Sequence, residues 1–331
     1  MALTVDTAFS QYMRDYVNLD PNVVEAAKKS KDNLLENIHD FSNNDFFNLC
    51  PKFDIQFGSF SRKTKCRELD DIDLMIGISA DGATYNDNYG WDNIIINASY
   101  NNQIQQNCSD ENNELNSTRV LNLFKSKLSE LNDYNRSDLH RNGEAVNLNL
   151  ISKDWAFDIV PCFHTVENEK GNSYYLIPNG YGRWKKTDPK MDQFSINYID
   201  NQQGGKLRPL IRLCKKWNQY KKMVTMESYL LETLLFKFAR DEEMQGSIKF
   251  NFIDSLVYLA NNIHSPIYDM KGIQGDINTL SFEEKENIVQ KCKDEIFKCR
   301  DAINYEFEDE DHKKAINKWR EIFGEEFPEY E

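Results

Sequence analysis

The sequence predicts an α+β protein in which a strand-containing core is followed by a mostly helical C-terminal lobe. Short apolar strand patterns alternate with helices and polar loops in the first half, whereas helical spacing prevails from about residue 204. With 331 residues, the chain is long enough for two domains. We therefore expect a core over residues 1–195 and a helical lobe over residues 196–331, joined by a loop near residues 186–204.

The N-terminal part of the core is predicted to be helical. Asp20 can cap a helix whose first position is Pro21, and apolar residues then recur at helical spacing up to residue 42. The segment from Phe9 to Tyr16 either extends this helix or forms a short helix of its own. The first strand of the core is therefore expected only after residue 42.

Short runs of apolar and β-branched residues mark the strands of the core. The predicted strands cover residues 53–58, 70–78, 144–151 and 155–160. Pro161 is expected to end the last of them, because proline cannot donate a ladder hydrogen bond. These segments supply the sheet on which any site in the core would be built.

The connections and the second half of the chain have different patterns. Residues 79–116 are rich in Asn, Asp, Ser and Gly, which predicts loops with a short strand at residues 94–96. Ser117 or Thr118 is expected to cap a helix over residues 119–131. Later segments with helical periodicity cover residues 206–222, 227–241, 252–263, 283–306 and 312–326.

The composition limits the partners and the compartment. A net charge of −14, from 40 basic and 54 acidic residues, argues against a protein that follows the phosphates of a duplex, although a local basic pocket for triphosphates is compatible with it. The seven cysteines are odd in number and lack CxxC spacing, which predicts reduced thiols. Neither a signal-peptide pattern nor a run of membrane-span length is present. We expect a cytoplasmic protein without a membrane partner and without strong duplex nucleic-acid binding.

The stretch FGSFSRKTKCRELDDIDLM, residues 57–75, holds the first part of the predicted site. Side chains alternate along a strand, so Asp71 and Asp73 project from one face while Ile72 projects from the other. Asp158 is flanked by apolar residues in the same manner. If its strand pairs beside the first, the three carboxylates share one face of the sheet.

These carboxylates predict a site for divalent cations. At about 4 Å and an effective dielectric near 20, each pair of like charges repels by about 4 kcal/mol, so the cluster needs cations. Hard oxygen ligands suit Mg²⁺, with Mn²⁺ as a substitute, and two ions can clamp the attacking hydroxyl and the leaving pyrophosphate of an in-line displacement. We expect Asp71 and Asp73 to hold the metal ion of a triphosphate. Asp158 would hold the ion near the attacking hydroxyl and could accept the proton of that hydroxyl.

The pair Gly58-Ser59 follows the first strand and complements the carboxylates. Glycine lets the backbone approach a phosphate, and backbone N–H groups and the Ser59 hydroxyl can donate to the β- and γ-phosphates. Taken singly, a Gly-Ser pair is usually a loop and an isolated aspartate is usually structural. The order, spacing and strand contexts together predict a nucleotidyltransferase site with Asp71, Asp73 and Asp158 as its catalytic residues.

These motifs carry a family resemblance. GSxxRxT at residues 58–64, DIDLM at 71–75 and FDIVPCF at 157–163 resemble the bacterial CD-NTases, relatives of cyclic GMP-AMP synthase and oligoadenylate synthase in anti-phage CBASS systems. Further similar segments lie at residues 175–189, 210–218, 227–232 and 319–328. The resemblance implies a polymerase-β-like nucleotidyltransferase core with a mixed sheet and a C-terminal helical lobe. It also implies that nucleoside triphosphates, ATP or GTP first among them, become a cyclic di- or trinucleotide second messenger for a downstream effector protein in antiviral defence.

Further nucleotide-binding residues follow from the resemblance, position by position. Lys215 and Ser228 correspond to family residues that contact the triphosphate, although Lys216 could replace Lys215 and either lysine fits a solvated helix face. Ser228 fits the first turn of a helix equally well. Arg62 either reaches a phosphate or supports its loop, and Gln56 precedes the Gly-Ser turn as another candidate. Aromatic residues at positions 181 and 184 could stack on a base or pack in the interior.

Two alternatives to a cyclic nucleotide synthase remain open at this stage. The first is another nucleotidyltransferase, which makes linear oligonucleotides or extends an RNA or a protein, and the acidic net charge argues against an RNA substrate. The second is a nucleotide-binding module without catalysis, against which the presence of all three carboxylates argues.

Overall fold

The computed structural model describes residues 2–41, 45–131, 134, 137–151, 153–221 and 226–331. Its chain divides into two compact units. The α/β unit comprises Val23–Arg62 and Leu69–Asp192, and the helical unit comprises Met1–Asn22, Lys63–Glu68 and Gln193–Glu331. The predicted α+β class is confirmed, because the strands of the described residues lie in the α/β unit, whereas the elements of the helical unit are helices.

A mixed sheet forms the framework of the α/β unit. The strands are β1 (Ile55–Phe57), β2 (Asp71–Gly77), β3 (Thr84–Asn86), β4 (Ile95–Asn97), β5 (Asp138–Asn142), β6 (Ala145–Asn149), β7 (Ala156–His164), β8 (Tyr175–Pro178) and β9 (Trp184–Thr187). The strand order is β1-β2-β7-β6-β5, with β8 on β7 and β9 on β8, while β3 and β4 pair with each other. β2 and β7 run parallel and the other strand pairs of the described residues run antiparallel, which confirms the mixed sheet.

Helices of the α/β unit surround this sheet. They are α2 (Pro21–His39), α3 (Gly58–Arg62), α4 (Gln103–Asn107) and α5 (Ser117–Glu130). The predicted cap of α2 is confirmed, because the Asp20 carboxylate accepts a hydrogen bond from the backbone N–H of Asn22 at 2.7 Å. α5 packs against β6 and β7 and buries Val120 and Phe124. The predicted helix ran to residue 42, which lies outside the described residues.

One predicted helix cap is wrong. α5 is capped by Asn116 and not by Ser117 or Thr118. The Asn116 side-chain oxygen accepts hydrogen bonds from the backbone N–H groups of Thr118 and Arg119 at 3.0 and 3.2 Å. Asn116 directly precedes the helix, and its side chain satisfies two backbone N–H groups of the first turn that have no partner within the helix. Ser117 and Thr118 lie inside the helix.

Pro161 lies inside β7 and does not end it, contrary to the prediction. The N–H of Ala156 donates to the Asp70 carbonyl on the β2 side, so alternation turns the Pro161 nitrogen away from β2. On that other side, the pairing with β6 ends at Ile159 and the pairing with β8 begins at Phe163. The proline therefore falls in a gap where no ladder hydrogen bond is required.

The helical unit begins with the N-terminal residues. α1 (Val5–Tyr12) continues into a π-helical turn, Met13–Val17. The Phe9 ring contacts Trp319, Phe323 and Phe327 edge-on at centroid distances of 4.9, 5.8 and 5.1 Å. These contacts explain why the first 22 residues group with the helical unit, whereas the predicted division at 195/196 placed them with the core.

The remaining helices are α6 (Pro189–Gln202), α7 (Leu207–Tyr220), α8 (Ser228–Asp241), α9 (Ile248–Asn262), α10 (Phe282–Phe307) and α11 (His312–Phe323). Of these, α7 to α11 agree closely with the predicted periodic segments. Buried Trp217, Leu231, Phe252 and Cys292 belong to one continuous apolar core. Within the described ranges, none of these helices has the length and apolar character needed to span a membrane.

α6 occupies the segment that was predicted to be a linking loop near residues 186–204. The Asp188 carboxylate accepts a hydrogen bond from the Met191 backbone N–H at 3.1 Å, and Pro189 holds the first helical position. This is the same combination of aspartate and proline that correctly located the start of α2. The loop prediction is wrong, because Asp188 and Pro189 begin a helix within this polar segment.

Candidate active site

A row of polar side chains crosses the sheet of the α/β unit. In register, Asp73 of β2 lies beside Asp158 of β7. Asp158 in turn lies beside Asn147 of β6, and Asn147 lies beside His140 of β5. Cross-strand partners project from the same face, and Asp71 projects from that face two residues before Asp73. The expected pairing of the two carboxylate strands is therefore confirmed.

The strand sequence explains why the carboxylates stay at the surface of the sheet. Asp71 and Asp73 are half-buried, whereas Ile72 and Leu74 between and after them are buried. Further along the strands, the same face of the sheet is apolar. A cluster of buried residues covers it there: Met75, Ala145, Val160, Cys162, Tyr175 and Ile177. The carboxylates thus lie at the border between an apolar layer and solvent, where the effective dielectric is lower than in bulk water.

Gly58 brings the Gly-Ser turn into contact with this row. Its φ is +70°, and a Cβ at this position would lie 1.7 Å from Oδ2 of Asp73. No other residue type fits without moving Asp73, because both the backbone conformation and the space exclude a side chain. Ser59 and Arg62 follow in the short helix α3, the first half-buried and the second 8 % exposed. Their expected contacts with phosphate remain predictions.

Burial and neighbouring charges change the acidity of the Asp158 carboxyl. Burial raises the pKa of the Asp158 carboxyl above its ordinary value, and the negative charge of Asp71 raises it further. The hydrogen bond from the Asn147 side chain opposes this rise, and so does the charge of His140. Ionised Asp158 is therefore strained by its surroundings, as expected of a carboxylate that binds a cation.

The three carboxylates suit a hard divalent cation that keeps some of its water ligands. Asp71, Asp73 and Asp158 offer only carboxylate oxygens, which suit Mg²⁺ or Mn²⁺. Among the described residues, however, no three histidine, cysteine, aspartate or glutamate side chains are close enough together to hold a metal ion. An ion here would need water or substrate oxygens in addition to the carboxylates, and Mg²⁺ is commonly bound in this manner.

Gln56 lies away from the row. It pairs in register with Leu74, whereas its neighbour Phe57 pairs with Asp73. Alternation therefore places the Gln56 side chain on the opposite face of the strand from the carboxylates. Its predicted contact with the nucleotide is not supported by this placement, and it stays a prediction.

Lys215 is buried in the helical unit. Its ammonium group pairs with the carboxylate of Glu232, whose other oxygen accepts a hydrogen bond from the Thr64 hydroxyl at 3.0 Å. The Lys215 and Glu232 side chains are only 6 % and 1 % exposed. Its alternative, Lys216, pairs with Glu326 at 2.8 Å. A triphosphate would have to compete with a carboxylate for either lysine, and the predicted contact with Lys215 remains a prediction.

The other candidates separate into exposed and interior residues. Ser228 is exposed at the first position of α8, which agrees with the helix-start alternative and leaves its contact with triphosphate a prediction. Tyr181 is 92 % exposed in the turn between β8 and β9. Trp184 is fully buried, and its indole N–H donates to the Leu115 carbonyl at 2.8 Å. Of the two aromatic residues, only Tyr181 is accessible to a base.

Asn147 and His140 are the members of the row that the sequence did not reveal. The amide nitrogen of Asn147 donates to Oδ1 of Asp158 at 2.8 Å. The alternation of Asn147 with buried Val146 and Leu148 was visible, but nothing local showed that this strand would pair beside Asp158. β5, which supplies His140, was not predicted at all, because its burial pattern is almost wholly exposed.

Sequence comparisons identify relatives of this chain. No family model matches the chain. A probable cyclic nucleotide synthase of Bacillus cereus strain VD146 is 37 % identical over 334 residues, which cover the whole of both chains. A cyclic AMP-AMP-AMP synthase of Acinetobacter sp. strain ATCC 27244 / 9458 is 24 % identical over 208 residues, or 60 % of this chain and 57 % of that protein.

Solved structures share the fold at low sequence identity. CdnC of E. coli MS115-1 superposes with a TM-score of 0.69 in its complex with HORMA-deltaN and 0.67 in its structure with ATP, at 14 % and 15 % identity and 98 % coverage of both chains. Escherichia coli DncV, with 3′-deoxy GTP bound, has a TM-score of 0.59 at 16 % identity, covering 83 % of this chain and 69 % of its own. The polymerase-β-like architecture with a helical lobe is therefore that of these nucleotidyltransferases.

Proposed function

This chain belongs to the bacterial CD-NTases and is a nucleotidyltransferase that synthesises a cyclic oligonucleotide, and we propose that it does so by Mg²⁺-dependent joining of nucleoside triphosphates. The reaction is attack of a ribose hydroxyl on the α-phosphate of a triphosphate, with release of pyrophosphate. A second or third transfer closes a cyclic di- or trinucleotide. ATP or GTP is the preferred substrate, in keeping with the ATP and 3′-deoxy GTP bound in the two related structures.

The proposal rests on one observation, the pairing of two carboxylate strands, the first of which contacts the Gly-Ser turn. Asp73 and Asp158 are register partners on parallel strands, and Gly58 brings the turn against Oδ2 of Asp73. Bound Mg²⁺ would offset the triphosphate charge and acidify the attacking hydroxyl. The chain itself supplies a place where phosphate, hydroxyl and carboxylates can meet, and placement and electrostatics dominate phosphoryl-transfer catalysis.

Each residue of the site has a distinct part in this reaction. Gly58 and Ser59 hold the β- and γ-phosphates through backbone N–H groups and a hydroxyl. Asp71 and Asp73 orient the triphosphate end that leaves as pyrophosphate. Asp158 accepts the proton of the attacking ribose hydroxyl, a role that its raised pKa favours because a stronger base takes the proton more readily. Lys215 and Ser228 stay further proposed contacts of the triphosphate.

The decisive experiment is an incubation of the purified protein with pairs of the four nucleoside triphosphates and Mg²⁺. Products are treated with phosphatase and identified by mass spectrometry, while pyrophosphate is measured in parallel. The Asp71→Ala/Asp73→Ala double variant is the control for contaminating activity. A phosphatase-resistant product that the double variant does not make supports the proposal and identifies the bases.

Other outcomes would select other reactions. Products that phosphatase degrades stepwise would indicate a linear oligonucleotide synthase. Absence of pyrophosphate with triphosphates alone would call for tRNA or protein acceptors and for candidate activators. Absence of pyrophosphate under all these conditions would refute the proposed reaction.

We further propose that the cyclic product acts in the cytoplasm as a second messenger for an effector protein in antiviral defence. The family membership supports this role. The chemistry of the product supports it too, because a cyclic phosphodiester without free phosphates resists phosphatases and can act at a distance. The test is phage plating on a host that carries the enzyme together with its neighbouring genes. Wild-type cells should be protected and cells with the Asp71→Ala/Asp73→Ala variant should not.

A further inference from the structure

Asn147 is a polar residue that does not stabilise the strand in which it lies. It lies in β6 between buried Val146 and Leu148, and asparagine is disfavoured in strands. Its side-chain Oδ1 is buried without a hydrogen-bond partner in the described part of the chain. Such an unsatisfied atom costs about 1–3 kcal/mol, so an apolar residue would suit the strand better. The benefit of Asn147 must therefore come from its other side-chain atom.

That other atom contacts Asp158. Nδ2 of Asn147 donates to Oδ1 of Asp158 at 2.8 Å. The orientation of the amide is dictated by chemistry, since an ionised carboxylate only accepts hydrogen bonds. β6 and β2 lie on opposite sides of β7. The hydrogen bond therefore turns Oδ1 toward β6 and leaves Oδ2 of Asp158 for the β2 side, where Asp73 lies.

An amide also has the right charge for this position. A lysine or arginine would also donate to Asp158 but would cancel the negative charge that attracts a cation. An aspartate would add a carboxylate and could not donate a hydrogen bond to ionised Asp158. Among residues of this size, asparagine donates to Asp158 without adding a charge of its own.

We propose that Asn147 is a positioning residue that fixes the rotamer of Asp158, so that one carboxylate oxygen faces Asp73 and is available to a divalent cation. The inference rests on the proposed function in so far as that function places a cation at Asp158. It adds a residue whose contribution is orientation, through the hydrogen bond from Asn147 to Asp158. Groups that orient the ligands of a metal ion typically change its affinity by about 10–100-fold.

The test compares Asn147→Leu with a matched control, Asn149→Leu. Asn149 projects from the same face of β6 one step further along, and its amide reaches Asp138 at 3.4 Å and not Asp158. Mn²⁺ binding is measured by electron paramagnetic resonance in the presence of a non-hydrolysable ATP analogue. The kcat, the KM for nucleoside triphosphates and the Tm are measured alongside.

A specific pattern is expected of Asn147→Leu. Its Kd for Mn²⁺ should rise about 10–100-fold and its kcat should fall by a similar factor. The KM should change less than about threefold, because the phosphate contacts are untouched. Asn147→Leu should keep or raise the Tm, which a merely structural residue would lower, and Asn149→Leu should leave Mn²⁺ binding and kcat unchanged.

The outcomes separate this inference from the proposed function. If wild-type protein is active and Asn147→Leu keeps both its Mn²⁺ affinity and its kcat, Asn147 has no positioning role. Equal losses in Asn147→Leu and Asn149→Leu would also overturn the role, because the effect would then belong to the strand. If wild-type protein makes no product with triphosphates alone or with the candidate acceptors and activators, but Mn²⁺ binding weakens only in Asn147→Leu, the positioning role stands and the proposed reaction fails.

Discussion

Gly58 shows how a single residue type can be required by both conformation and space. Several glycines of the chain have positive φ, but most would place a Cβ in open space or in ordinary contact. At Gly58 the Cβ would overlap the carboxylate of Asp73 at 1.7 Å. The missing side chain is therefore what lets the Gly-Ser turn lie against the carboxylate row.

Gly58→Ala is expected to abolish most activity while leaving a folded protein. We expect kcat/KM to fall at least about 100-fold, because the turn or Asp73 must move, and even small misplacements in a phosphoryl-transfer site are costly. The strained backbone should lower the free energy of unfolding by about 1–2 kcal/mol. Steady-state kinetics and urea denaturation measure the two effects.

Gly171→Ala is the matched control for backbone strain. Its φ of +76° is close to that of Gly58, but no atom lies within 4 Å of its added Cβ. It should lose a similar amount of stability and keep its activity. Full activity in Gly58→Ala would show that the close approach to Asp73 is dispensable.

At the scale of elements, a buried ion pair joins α7 to α8. Lys215 and Glu232 lie among apolar neighbours, and the same carboxylate accepts the Thr64 hydroxyl, which belongs to the segment Lys63–Glu68. That segment follows the Gly-Ser helix in sequence. The pair therefore fixes the packing of α7 against α8 and, through Thr64, the position of the segment that follows the Gly-Ser helix.

Lys215→Met is expected to destabilise the protein by about 3–5 kcal/mol, because Glu232 loses a counter-charge in a buried position. Lys216→Met is the control, since its pair with Glu326 is half-exposed on the glutamate side and should contribute less than about 1 kcal/mol. Chemical denaturation of both variants measures the difference. Equal losses would mean that the buried pair contributes no more than an exposed one.

A second variant separates the structural role of Lys215 from its predicted contact with triphosphate. Lys215→Met/Glu232→Gln removes both charges and should recover most of the lost stability. If the ammonium group also binds phosphate, the KM for nucleoside triphosphates should still rise about tenfold or more. An unchanged KM in the stable double variant would exclude the contact.

At the scale of the whole molecule, the two ends of the chain form one core. Phe9 of α1 packs against Trp319, Phe323 and Phe327, near the other terminus. Phe9→Ala should therefore lower the free energy of unfolding by about 3–5 kcal/mol through the cavity that it leaves. Phe297→Ala, at a 64 % exposed position of α10, should change it by less than about 1 kcal/mol. Similar losses in both would contradict the packing of the N-terminus in this core.

The overall charge of the molecule makes a separate prediction about partners. A net charge of −14 repels the phosphate backbone and leaves little counterion release to gain. We expect no saturable binding of a fluorescent duplex below about 10 µM protein at about 0.15 M salt, as measured by anisotropy. Tight binding that weakens steeply with salt would reveal a basic surface that the net charge conceals.

The sequence by itself determined the features that depend on local spacing. Helical periodicity located α7 to α11, and the alternation of Asp71 with Ile72 showed which side chains share a face. These features are local because a helix or a strand repeats over only a few residues. An aspartate followed by a proline is also a local signal, and it marks the start of both α2 and α6.

Only the tertiary structure decided what depends on contacts between distant segments. It paired Asp73 with Asp158, set Asn147 beside them, and placed Pro161 in a gap of the ladder. It also packed the first residues with the last helices. Strand register and helix packing bring together residues far apart in the chain, and no local pattern in one segment specifies which partner it will meet.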